Sequence, residues 1–104
     1  MQIEINTDKN IEGSERMTAY FTENFEQTLS RFTDQIMRLK AHLSDVNAHK
    51  EGGDDKRCLL EARLKGLKPV VVTHHAETLD FAVSGATDKL IKSLESTIGR
   101  LRNH

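Results

Sequence analysis

Apolar positions along this chain switch between a period of two and a period near 3.6, and the switches mark its elements. Ile3 and Ile5 alternate with Gln2, Glu4 and Asn6, which predicts a short strand ending at the turn residues Thr7 to Asn10. The spacing then lengthens. Met17, Tyr20, Phe21, Phe25, Leu29 and Phe32 recur at three- and four-residue steps, an apolar stripe about five helical turns long. Ser14 stands where an N-cap belongs, Glu15 falls in the first turn, and Thr33-Asp34 should stop the helix.

Period two returns at Met37, Leu39, Ala41 and Leu43, predicted to point inward, with Arg38, Lys40, His42 and Ser44 between them. Asp45 to Asp55, containing Asn47, His49, Gly52, Gly53 and Asp54, reads as a polar hairpin loop. Lys56 to Lys65 alternates again, with Cys58, Leu60, Ala62 and Leu64 inward and Arg57, Glu61, Arg63 and Lys65 outward. Gly66-Leu67-Lys68-Pro69 is a turn, and Val70 to His75 is a β-branched strand with Val71, Thr73 and His75 outward. Thr78 caps a last helix whose stripe is Leu79, Ala82, Val83, Ala86, Leu90, Leu94, Ile98 and Leu101.

The order is β-α-β-β-β-α, an α+β fold. The last three strands form an antiparallel meander, and the first joins it in parallel after crossing over through the first helix. Each helix has one apolar stripe, so both cover one face of a four-stranded mixed sheet and the other face is left to water. The 104 residues are expected to make one domain, 1–104.

Charge sharpens this picture because it is divided. The chain has a net charge of −1 with His neutral, yet residues 1–55 hold 6 Lys/Arg against 11 Asp/Glu, and residues 56–104 hold 9 against 5. An anion site should therefore draw mainly on the second half. On the strand phases above, the open face carries Arg38, Lys40, Arg57, Arg63 and Lys65 against Glu61 alone, a surface suited to phosphates. No exposed aromatic pair is evident, so base stacking is not expected. Lys/Arg on exposed strands also serve simply to keep sheets from misassociating.

Other chemistry finds little support. The single cysteine, Cys58, lies on an apolar strand face and forms no internal disulfide. His74 and His75 are adjacent on a strand and point to opposite faces, so they cannot readily share an ion. His74 is expected half-buried beneath a helix and His75 solvent-facing. His42 and His75 could share the outer face, but no third ligand is apparent, so neither a metal site nor a cofactor is expected. The chain has no Gly-rich phosphate loop and no catalytic constellation, so it is not expected to be an enzyme or to act on a small-molecule substrate. No apolar run approaches the roughly 18–20 residues that cross a bilayer. The start Met-Gln-Ile-Glu-Ile lacks the regions of a signal peptide, so no membrane partner and a cytoplasmic location are expected.

Two stretches carry a resemblance. The start Met1-Gln2-Ile3-Glu4-Ile5, and Glu77-Thr78-Leu79 leading through Ala82-Val83 to Asp88-Lys89-Leu90-Ile91-Lys92-Ser93-Leu94, resemble the ribosome hibernation promoting factor family, also called ribosome-associated inhibitor or sigma-factor modulation proteins. The likeness runs along essentially the whole chain, and the length is that of the short members without a C-terminal extension. It implies a stress-response regulator of translation that binds the small ribosomal subunit and its rRNA and silences idle ribosomes. It also implies RNA contacts at Lys89 and Lys92, which match the cations of the last-helix motif, and more loosely at Arg100 and Arg102. Arg57, Arg63, Lys65, Arg38 and Lys40 on the sheet add to them as expected phosphate contacts. Where the family usually has exposed cations on its first helix, this chain has Glu15, Glu23 and Glu26. The alternative is a protein-interaction or regulatory module that keeps the fold without binding ribosomes, with that acidic helix facing a basic protein partner.

Overall fold

Four strands lie in the order β1-β2-β3-β4. The computed structural model describes residues 1–46 and 55–102, with side chains through residue 99. The elements are β1 (Gln2–Thr7), α1 (Glu15–Thr28), β2 (Ile36–Asp45), β3 (Lys56–Leu64), β4 (Val70–Ala76) and α2 (Leu79–Arg102). β1 pairs with β2 in parallel, and β2-β3 and β3-β4 are antiparallel, so the expected α+β architecture and its mixed sheet are present. Residues 47–54, most of the expected hairpin loop, and the side chains of Arg100, Leu101 and Arg102 lie outside the described residues. At the flanks of that hairpin, the Val46 N–H donates to the Asp55 carbonyl (2.9 Å) and the Lys56 ammonium pairs with Asp45 (2.8 Å).

The helix starts follow local chemistry. The Met17 N–H donates to Ser14 Oγ at 3.0 Å and the Phe81 N–H to Thr78 Oγ1 at 3.1 Å, each hydroxyl satisfying a donor that the first helical turn leaves free. α1 is shorter than its stripe predicts. It ends at Thr28, and the chain tightens into a 3-10 turn over Ser30–Phe32. Three residues per turn keep Phe32 on the face already set by Phe25 and Leu29, so all three are buried although the α-helix has stopped.

Both helices cover one sheet face, with α2 over β3 and β4 and α1 beside β1. Between the layers lie Phe21, Phe25, Leu29, Leu39, Leu43, Leu60, Val83, Leu90 and Leu94, all essentially sealed from water. Cys58 is among them, and burial pushes its thiol pKa up to about 12.

Two positions expected in the core lie outside it. Met37 is 54% exposed because β2 bulges there: Ile36 pairs with Leu64 and Arg38 with Arg63, leaving Met37 as the extra residue. The bulge turns Met37 and Arg38 out together and gives the inward place to Ile36. Tyr20 is 53% exposed and donates its hydroxyl to Asp80 at 2.7 Å, linking the middle of α1 to the start of α2. The carboxylate that holds this proton raises the phenol pKa. Farther along, Arg31 pairs with Glu95, a second tie between the helical segments.

Candidate nucleic-acid interface

Strand register sorts the open face into rows across the sheet. Gln2, Arg38 and Arg63 make the first. Glu4, Lys40, Glu61 and Val71 make the second, and Asn6, His42, Leu59 and Thr73 the third. Ser44, Arg57 and His75 complete it. Lys65 follows just beyond β3, exposed, before the turn in which Gly66 takes φ 69°. Five of the nine expected RNA contacts (Arg38, Lys40, Arg57, Arg63 and Lys65) are thus brought to one surface.

That surface is less cationic than the five-to-one tally predicts. The tally left out β1, whose alternation places Glu4 opposite Lys40. Lys40 is flanked in its row by Glu4 on one side and Glu61 on the other. The Asn6 amide donates to Glu4 at 3.1 Å, and this bond, followed by the fields of Lys40, Arg38 and His42, holds the Glu4 carboxyl below its ordinary pKa. The signal was present in the first strand: a sheet face takes its charge from every strand that borders it.

Uncompensated charge therefore gathers at the two ends of the face. At one end Arg38 faces Arg63, with Arg38 donating only a long hydrogen bond (3.4 Å) to the Gln2 amide oxygen. At the other, Arg57 Nε donates to Ser44 Oγ at 3.1 Å. Ser44, on an outward position, is buried beneath that contact. Among the described residues none of these three arginines pairs with a carboxylate. Arg57 and Arg63 are six residues apart on β3, roughly 20 Å at about 3.4 Å per residue.

The helix cations lie elsewhere. α2 covers the opposite side of the sheet, so Lys89 and Lys92 do not join the sheet arginines on one plane. Lys92 is exposed, and Lys89 donates to the Thr73 carbonyl on edge strand β4 at 2.8 Å. Arg100 and Arg102 belong to α2, but their side chains lie outside the described residues. On α1, Glu15, Glu23 and Glu26 are exposed as expected. His74 is half-buried under α2, where Gly85 gives it room, and His75 is exposed. Among the described residues, no group of three His, Cys, Asp or Glu side chains could hold a metal ion, and no helix is long and apolar enough to cross a membrane.

Comparison with known proteins bears on this surface. The family model described as Sigma 54 modulation protein / S30EA ribosomal protein matches residues 4–102. The fold is similar to that of the Protein Y N-terminal domain of Thermus thermophilus, at 22% identity and a TM-score of 0.72, covering 93% of this chain and 99% of that one. It is also similar to a ribosomal subunit interface protein from Coxiella burnetii, at 16% identity and a TM-score of 0.71, covering 95% and 99%. No curated protein matches the sequence.

Proposed function

Because the chain belongs to the Sigma 54 modulation protein / S30EA ribosomal protein family, whose members are ribosome-associated modulation factors, we propose that it is a non-enzymatic factor that binds the small ribosomal subunit through rRNA and holds translation off under stress. The observation that carries this reading is the reach of the family match, from residue 4 to residue 102. It takes in every element from β1 to α2.

The geometry supports a mechanism by occlusion. A folded body with cations on more than one side can seat against RNA and block a site without reacting with it. Arg38 and Arg63 at one end of the open sheet face and Arg57 at the other contact phosphates, as does Lys65 beside the first pair. Lys92 on α2 adds a contact from the helical side, with Arg100 and Arg102 farther along that helix. Lys40 contributes less, because Glu4 and Glu61 flank it. Lys89, held at the sheet edge by its bond to the Thr73 carbonyl, keeps two N–H donors and its charge for a phosphate there. Each phosphate neutralised adds a salt-sensitive increment to affinity.

A translation assay tests this. Purified chain added to a cell-free translation reaction should inhibit in proportion to its occupancy of small subunits, and rising salt should relieve both together. Occupancy without inhibition would remove the regulatory half of the proposal.

The exposed acidic side of α1 favours a second reading, docking of a basic protein segment. Under it, loss of Glu15, Glu23 and Glu26 would abolish a defined protein contact and leave RNA binding unchanged or stronger.

A further inference from the structure

Arg57 is half-buried, and a guanidinium drawn partly out of water calls for a counter-charge. The acids near it are engaged elsewhere. Asp8 accepts the backbone N–H groups of Asn10 (3.0 Å) and Asp45 (3.3 Å), Asp45 pairs with Lys56 (2.8 Å), and Glu4 accepts from Asn6. Arg57 itself is fixed by its Nε bond to Ser44. That bond uses one corner of the guanidinium and leaves the terminal nitrogens of the fork.

Beside it opens a hollow of about 190 Å3, lined by Asn6, Thr7, Asp8, His42, Ser44 and Arg57. Its lining offers hydrogen-bond donors of the kind an oxyanion takes: the Ser44 hydroxyl, the amide N–H of Asn6 not given to Glu4, a ring N–H from His42 and the guanidinium. The volume is below the roughly 300–1,000 Å3 that encloses a drug-sized ligand, so it suits one phosphoryl group and not a whole nucleotide.

We infer that this hollow at the β1-β2-β3 end of the open face is a phosphate seat, in which the anchored Arg57 fork and the hydroxyl, amide and imidazole donors around it hold a single phosphoryl group. The inference rests on the reading that the open face takes RNA phosphates, and it names the place where one phosphate is bound in a fixed geometry. The Arg38–Arg63 end, by contrast, attracts phosphates without a cavity to orient them.

NMR titration of the full chain tests the seat, first with inorganic phosphate and then with a short single-stranded RNA lacking terminal phosphates. Saturable shifts at Asn6, Thr7, His42, Ser44 and the Arg57 side chain are expected in at least one arm. Response to phosphate alone assigns the seat to free or terminal phosphate, and response to the RNA assigns it to backbone diesters. R57K keeps the charge but loses the fork, and should weaken the response roughly tenfold, the loss of one charge-assisted hydrogen bond. S44A should weaken it in the same direction. No saturable shift in either arm, or an R57K titration equal to wild type, overturns the seat. If the seat fails while the chain still sediments with small subunits, the ribosomal reading stands without it. If the titration succeeds and sedimentation fails, the seat stands and the ribosomal reading falls.

Discussion

Arg38 and Arg63 are register partners across β2 and β3, two like charges placed directly opposite each other with no carboxylate paired to either among the described residues. Cross-strand partners of like charge are destabilising, so the pairing is a cost to the fold. Replacing Arg63 with Ala should leave thermal stability unchanged or raise it by up to about 0.5 kcal/mol. The same change should weaken RNA binding and reduce the slope of log affinity against log salt by about one. Thermal denaturation and a binding series over salt read the two effects separately. A loss of stability with no change in the salt slope would make Arg63 structural.

Glu4 opposes binding on the same face. Its folded pKa is lowered from 4.5, first by the Asn6 hydrogen bond and then by the neighbouring cations. A depressed carboxyl pKa contributes stability above its unfolded value and loses it as pH falls through the folded value. Between pH 5 and 8 Glu4 is therefore ionised and holds part of the Lys40 field. Glu4→Gln should raise RNA affinity by a constant factor across that window. Wild type should approach the variant only below pH 4.5. A gain that varies between pH 5 and 8 would point to another group.

Much of this fold was legible because alternation and helical spacing report burial directly. Cys58, Leu60, Ala62 and Leu64 are inward as their pattern predicts, and Ser14 and Thr78 cap where they should. The misses have separate causes. The bulge at Met37 is an extra residue in one strand, and no period shows whether a partner strand matches it. Tyr20 lies on the apolar stripe by spacing, but its hydroxyl reaches Asp80, sixty residues away, a contact no local pattern contains. Of the candidate site, the cationic positions on β2 and β3 were readable. Their partial neutralisation was not, because it needs the parallel register that puts Glu4 beside Lys40.

His74 and Gly85 give a packing test. A Cβ on Gly85 would fall 2.1 Å from His74 Cδ2, so Gly85→Ala forces the imidazole to move from its place under α2. Overpacking of this kind costs typically about 1–3 kcal/mol. Urea denaturation should show G85A destabilised within that range, and H74A combined with G85A should recover part of the loss. Equal costs in the single and double variants would mean that the helix backbone, not His74, meets the new methyl.

Cys58 should be inert in the folded chain. With its pKa pushed up to about 12, it carries at pH 8 on the order of a thousandfold less thiolate than a free thiol titrating near 8.5. Alkylation should therefore be slow in buffer and fast in denaturant. Rapid labelling of the native protein would contradict the sealed interface between α2 and the sheet.

Co-sedimentation of the purified chain with isolated small ribosomal subunits, across a salt series and beside an R38A/R57A/R63A variant, tests the central claim most directly. The account predicts that wild type sediments with the subunit at low salt and is released steeply as salt rises, and that the variant binds more weakly with a shallower slope. Wild type remaining in the supernatant at every salt concentration would contradict it.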